Sequence, residues 1–284
     1  MKFLVLGCNG MAGHMISLYL QEQGHKVYGF DRTKPKYVNG IAGDARNTES
    51  IRELITMGKY DSVINCIGIL NQFAERDKAL ASFLNAYFPH FLAEVTAGTD
   101  TQIIHMSTDC VFSGKRGEYT ELDLRDGETF YDRSKALGEL EDDKNITLRN
   151  SIVGPDINPN GIGLLNWFMK QKGEINGFTK AIWTGQTTLQ LAKTMEAAAK
   201  EKASGLYNTV PDCSISKYEL LKLFNHYLRN DAIMINPSNE IAANKSLRRT
   251  RFDFNYTIPD YEVMVAELAQ WVIRHKDMYP HYGL

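Results

Sequence analysis

Tyr131 and Lys135 stand one helical turn apart in Tyr131-Asp132-Arg133-Ser134-Lys135, downstream of Ser107-Thr108-Asp109. At helical spacing, residues i and i+4 project from one face, so a phenol and an ammonium reach a common ligand together. A free phenol titrates near about 10, and a neighbouring cation favours its phenolate, bringing proton exchange within range of neutral pH. With an upstream hydroxyl from Thr108 or Ser107, these are the parts of a proton relay suited to carbonyl reduction or alcohol oxidation. The pair by itself is weak: fourteen tyrosines and nineteen lysines in 284 residues give about one such spacing by chance. A second instance, Tyr218 and Lys222, lies in an amphipathic stretch that reads as a surface helix. The position of Tyr131 after Ser-Thr-Asp sets it apart.

Such a relay needs a scaffold that brings a hydride carrier to it. The first half of the chain alternates short apolar runs with amphipathic segments, the pattern of a parallel sheet covered by helices. Expected strands are Phe3–Leu6, Val27–Phe30, a weak one at Ile41–Asp44, Ser62–Cys66, Gln102–Met106 and Ile146–Arg149. Expected helices run from Met11 to Gln23, from about Asp77 to Ala97 and from Tyr131 toward Glu141. The fold class expected is α/β, a Rossmann-type doubly wound parallel sheet with a smaller C-terminal substrate lobe. Residues 1–154 form the dinucleotide-binding domain; 155–284 form mainly the lobe, interleaved, because an apolar run at about 204–210 returns to the sheet. Tyr261 to Arg274 reads as an amphipathic closing helix.

Gly7-x-x-Gly10-x-x-Gly13 lies between the first strand and the first helix. Bare backbone there lets a pyrophosphate approach, and the helix start offers unpaired N–H groups and the positive end of a dipole. Asn9 and Met11 belong to the same bend. Asp31 closes the second strand, either accepting hydrogen bonds from an adenosine ribose or serving a turn. Arg32, with Lys34 and Lys36 near it, supplies cations for a 2′-phosphate, so NAD and NADP both remain open. Asp44 is placed for the adenine edge, and Asn65 through Cys66, Ile67 and Gly68 for the floor of the cleft; ordinary strand ends are the alternative. Ser107, Asp109 and Cys110 flank Thr108 on the substrate side, with Cys110 either an acid–base group or simple packing.

In the tail, Lys245, Ser246, Arg248, Arg249 and Arg251 gather five phosphate donors in seven residues. Arginine's planar fork matches phosphate oxygens, so Arg248 and Arg251 are candidates for a substrate diphosphate, against the alternative of a solvated basic face. Trp183 is a further candidate for lining that cleft. Seven histidines are scattered without metal-ligand spacing, and no catalytic metal is expected.

The formal charge is −2, which gives no basic stripe for nucleic acid or an acidic membrane. Cys8, Cys66, Cys110 and Cys213 are far apart and read as reduced thiols. With no leader pattern and no 18-residue apolar run, the expectation is a cytoplasmic protein without membrane or nucleic-acid partners. A homodimer is compatible with this.

These residues resemble the extended short-chain dehydrogenase/reductase superfamily, and within it the dTDP-4-dehydrorhamnose reductase-like group. The likeness rests on Gly7/Gly10/Gly13, on Ser107-Thr108-Asp109-Cys110-Val111-Phe112-Ser113-Gly114, similar to the group's Ser-Thr-Asp-Tyr-Val-Phe-x-Gly, and on Tyr131 with Lys135. It implies a Rossmann domain, NADPH or NADH, a Thr108, Tyr131, Lys135 triad and a nucleotide-sugar lobe. Cys110 departs from the group's tyrosine, and Asp132 from the glycine often found after the catalytic tyrosine. Cys110 also replaces the glutamate of related dehydratases, which argues against dehydration, while a cysteine in this stretch occurs in epimerase/reductases similar to GDP-fucose synthase. The resemblance therefore implies reduction of a 4-keto-6-deoxy nucleotide sugar for surface polysaccharide. The alternatives are an epimerase with retained NAD(P), or a non-catalytic regulatory subunit similar to the methionine adenosyltransferase β subunit.

Overall fold

A computed structural model describes all 284 residues. Strands β1 (Lys2–Leu6), β2 (Lys26–Asp31), β3 (Asn39–Ala42), β4 (Ser62–Asn65), β5 (Gln102–Thr108), β6 (Ile146–Asn150) and β10 (Gly205–Asn208) form one sheet in the order β10-β6-β5-β4-β1-β2-β3. Every pairing in it is parallel. The order reverses between β1 and β4, and in such sheets ligands bind beyond the strand C-termini at that point. Strands β4 and β6 are buried at every residue, as the apolar runs require.

Helices cover both faces. On one lie α1 (Met11–Glu22) and α8 (Thr188–Glu201), which pack Ile16, Leu20, Leu191 and Met195 against Phe3, Val5, Ile64 and Ile104. On the other lie α2 (Thr48–Gly58) and the segment α4 (Lys78–Ala81), a π-helical stretch Ser82–Tyr87 and α5 (Phe88–Val95). Ile51, Ile55, Phe88 and Leu92 there meet Leu4, Leu6 and Val63. The π turn has a sequence cause: Pro89 has no N–H for the carbonyl of Asn85, four residues earlier, and the helix widens to pass it. Between these elements α3 (Asn71–Arg76) and α6 (Phe130–Leu137) close the layer.

The second lobe is built from β7 (Ile152–Val153) paired with β9 (Gln186–Thr187), a three-stranded sheet of β8 (Glu174–Trp183), β11 (Ile215–Ser216) and β12 (Met234–Asn244), and helices α7 (Leu164–Phe168), α9 (Lys217–Arg229) and α10 (Tyr261–Arg274). Its core joins Phe168, Leu220, Phe224, Leu268 and Trp271, with Met15 contributed by α1. The chain leaves the first domain after β6, returns for α8 and β10, and leaves again.

Several boundaries differ from the expected ones. Strand β3 ends at Ala42 because Asp44 turns the chain, its carboxylate accepting the Arg46 backbone N–H at 2.9 Å. Helix α6 stops at Leu137 with Gly138 as its C-cap, where the chain packs so closely that a Cβ would lie 1.9 Å from the Asn85 carbonyl oxygen. It begins on a capping box between Thr129 and Asp132, which gives Asp132 a structural task. Strands β8 and β12 were not expected: β12 is mostly exposed and carries Pro237 and a bulge, so it shows no apolar alternation.

The rings of Phe168 and Phe224 lie 5.9 Å apart in the second core. Phe224→Ala is expected to lower unfolding free energy by about 3–5 kcal/mol, measured by urea denaturation.

Candidate active site

The glycine bend follows directly from β1. Gly7 has φ +81°, which side-chain-bearing residues rarely adopt. A Cβ on Gly13 would come 2.1 Å from the Gly7 carbonyl oxygen, so α1 presses against the bend through bare backbone. Helix α1 has no side-chain cap and no acidic residue in its first turn. Six other helices, α2, α4, α6, α8, α9 and α10, are capped by Asn47, Asp77, Thr129, Thr187, Ser216 and Asp260. The free N–H groups and dipole of α1 thus open onto a cleft of about 420 Å³ at the end of β1, β4 and β5. The cradle that only glycine permits and the uncapped helix start fit a dinucleotide pyrophosphate.

Gly7, Gly10, Met11, Gly13, Cys66, Ile67 and Gly68 all line this cleft, as do Ser107, Thr108, Asp109, Cys110, Tyr131 and Lys135. Asn9 and Asp31 act behind it. The Asp31 carboxylate accepts the N–H of Asn9 at 3.0 Å and of Arg32 at 2.7 Å. Asn9 in turn donates to Thr33 Oγ1 at 3.1 Å and accepts the N–H of Lys36 at 3.1 Å, tying the bend to the loop after β2. Asp44 pairs with the Arg46 guanidinium, Nε to Oδ2 at 2.9 Å, and is not among the residues that line the cleft. Arg32 is exposed and makes no ion pair.

The catalytic candidates meet where β5 ends. Thr108 Oγ1 donates to Asp109 Oδ1 and accepts the Cys110 N–H, both at 3.1 Å. Tyr131, 7% exposed, faces the same hydroxyl. Burial, then the nearby Cys110, push its phenol pKa up, while the Thr108 hydroxyl pulls it down. The expected cation effect of Lys135 is not among these influences, and burial favours the protonated phenol. Lys135, 6% exposed, donates from Nζ to the Met106 carbonyl at 2.8 Å. Burial lowers its pKa to about 8, against the raising influence of Glu139 and Cys66.

Ser107 does not offer its hydroxyl proton to a substrate, because it donates to Glu139 Oε1 at 2.6 Å. Glu139 also takes the buried Arg149 guanidinium, Nη2 to Oε2 at 2.8 Å, and a contact from Arg125. Burial alone would raise the Glu139 carboxyl; Arg149 and Arg125 outweigh it and hold it below its usual range. A fully buried ion pair survives only when its remaining hydrogen bonds are met, as here. Cys110 is pushed up to about 12 by burial and by Asp109, so it remains a thiol, not a thiolate base.

The tail candidates are not among the residues that line the cleft. Arg251 binds the Leu206 carbonyl at 3.2 Å, Tyr207 Oη at 2.8 Å and Asp253 at 2.6 Å, beside the start of β10 and so at the opposite end of the sheet from the cleft. Arg248 is exposed and makes no side-chain hydrogen bond. Trp183 is buried in the second core, 5.6 Å from the Tyr261 ring, and does not line the cleft. Two lysines stand nearer. Lys217 Nζ lies 4.8 Å over the Trp183 ring, and its charge is felt by Asp109, which burial pushes up. Lys245 lies 3.8 Å from Asp132. Composition could not single out Lys217, one of many lysines on an amphipathic helix.

Other unforeseen residues support the site. Asn85, buried in the π stretch, accepts the Ile69 N–H at 2.9 Å and donates to Ser134 Oγ at 3.1 Å, joining the cleft floor to α6. Asn150 lines the cleft with a buried Oδ1 that lacks a partner. Ile162 and Gly163 close it from the lobe side.

The model of the RmlD substrate binding domain family matches residues 1–254. The chain belongs to this family. It is 34% identical over 143 residues to a probable low-salt glycan biosynthesis reductase of Haloferax volcanii, covering 49% of this chain and 48% of that one. It is 29% identical over 141 residues to a dTDP-4-dehydrorhamnose reductase of Aggregatibacter actinomycetemcomitans, covering 49% and 45%. The chain thus spans about half the length of the curated relatives it matches. A crystal structure of dTDP-4-dehydrorhamnose reductase from Bacillus anthracis in complex with NADP superposes with a TM-score of 0.79, 21% identity and coverage of 94% and 99%, which establishes the shared fold.

Gly13→Ala is expected to weaken NADPH binding at least tenfold, or about 1.4 kcal/mol, in a calorimetric titration. Gly24→Ala, at an open left-handed position past α1, is expected to lose stability of about 1 kcal/mol and leave binding unchanged.

Proposed function

We propose that this protein is an NADPH- or NADH-dependent reductase of a 4-keto-6-deoxy nucleotide sugar, serving surface polysaccharide synthesis. The observation that carries the reading is the presence of Thr108, Tyr131 and Lys135 on one wall of the cleft whose other wall is the glycine bend. The reductases among its relatives, and the NADP in the Bacillus anthracis structure, support it.

Gly7, Gly10 and Gly13 with the start of α1 would hold the pyrophosphate, and Lys135 the nicotinamide ribose. The bound coenzyme supplies the hydride. Tyr131 gives its proton to the oxygen of the reduced carbonyl, and its high pKa keeps that proton in place until an alkoxide develops. Thr108 orients the same oxygen, and the buried walls exclude water from it. Lys217 and Lys245, whose charges reach Asp109, would be the cations beside the substrate. Cys110, held as a thiol, would donate a hydrogen bond and would not abstract a proton from carbon, which favours plain reduction over an epimerising mechanism.

Purified protein supplied with 4-keto-6-deoxy nucleotide sugars is expected to consume NADPH or NADH stoichiometrically with product. Tyr131→Phe should bind coenzyme normally and lose roughly 10²–10⁴-fold in turnover. A protein isolated with bound NAD(P) that interconverts sugars without net consumption would be an epimerase instead, and undiminished turnover by Tyr131→Phe would remove that residue from the mechanism.

A further inference from the structure

Beneath the cleft, His105 is wholly buried between Asn65 and Lys135. The Ile67 N–H donates to Asn65 Oδ1 at 3.1 Å, which orients the amide. Its Nδ2 therefore faces His105 Nδ1, at 3.2 Å. An amide nitrogen only donates, so Nδ1 carries the lone pair and the single proton of the neutral ring lies on Nε2. That Nε2 sits 3.4 Å from Lys135 Nζ.

The direction of this last contact matters. An Nε2–H facing an ammonium sets donor against donor, whereas facing an amine it donates into a lone pair. The arrangement therefore favours the amine of Lys135, in the same sense as burial of the side chain. The ring stays neutral because burial, and then the Lys135 charge, hold its pKa well below the usual histidine range.

We propose that Asn65 and His105 form a tautomer lock that loosens the hold of Lys135 on its proton: positioning residues that act through the lysine and touch no substrate. This rests on the reading of Lys135 as part of the site that serves Tyr131. When Lys135 loses a proton to solvent water, the resulting amine accepts the His105 Nε2–H bond, and water returns the proton to Lys135. The other titratable groups around Lys135 are Glu139 beyond α6, Cys66 after β4 and, behind His105, His90 on α5, which binds the Leu137 carbonyl at 2.8 Å. Asp109 and Cys110 face Tyr131 and Lys217.

Two measurements on the whole protein test the lock without any substrate. In ¹⁵N-histidine-labelled protein, long-range proton–nitrogen correlation should show His105 protonated at Nε2 alone at neutral pH; a proton on Nδ1, or on both nitrogens, overturns the proposal. In ¹³C-lysine-labelled protein, with Lys135 assigned from Lys135→Met, the Lys135 titration is compared between Asn65→Asp and the double variant Asn65→Asp/His105→Phe. A carboxylate at position 65 demands a donor and moves the ring proton to Nδ1, turning the Nε2 lone pair toward Lys135. The single variant should therefore titrate about one pH unit higher than the double, which keeps the added charge but has no ring nitrogen. Equal titrations overturn the proposal. Failure of Tyr131→Phe to impair turnover would sink the reductase reading and leave both spectra as they are.

Discussion

A lysine buried to 6% exposure at the floor of a polar cleft is the constraint around which this site is arranged. Taking an ammonium out of water is costly, and the group survives there only with fixed partners or a shifted pKa. Lys135 has both: the Met106 carbonyl at 2.8 Å and a pKa brought down to about 8. The partners come from β5, whose alternation turns His105 and Ser107 toward the helix side of the sheet that α6 covers. Glu139, satisfied by Arg149, Arg125 and Ser107, sets a negative charge within reach that offsets part of the desolvation. The parallel sheet, the capping box of α6 and the buried ion network all serve to hold one amine and one phenol at the same wall.

Much of the fold was legible because parallel strands, buried on both faces, show as plain apolar runs. Phe3–Leu6, Ser62–Ile64 and Ile103–Ile104 could hardly be read otherwise. Elements with thin or polar signatures were not legible. Helix α2 buries only Ile51 and Ile55, and the pairing of β8 with β12 depends on a mostly exposed strand. The close packing of Gly138 on Asn85 at the end of α6 was not legible either, because the partner lies fifty-three residues away in sequence.

The same division holds for the site. Motif residues with local causes, the glycines and the Tyr131/Lys135 pair, are all found at the cleft. Other candidates are not among its lining residues: Arg251 pairs with Asp253 and Tyr207, and Asp44 with Arg46. Sequence shows which cations exist but not which are already paired. His105, Asn65, Asn85 and Lys217 carry no motif of their own, and only three-dimensional proximity to Lys135, Ser134 or Asp109 gives them meaning. The comparisons with known proteins establish family and fold, whereas the roles of individual side chains rest on this geometry.

The most direct test of the central claim is a crystal structure of the protein with NADPH and an unreactive nucleotide-sugar analogue. The account predicts the pyrophosphate over Gly10–Gly13, and the nicotinamide C4 and the Tyr131 hydroxyl facing each other across a gap one carbonyl group wide. A nicotinamide turned away from Tyr131, or a coenzyme bound anywhere but the glycine bend, would contradict it.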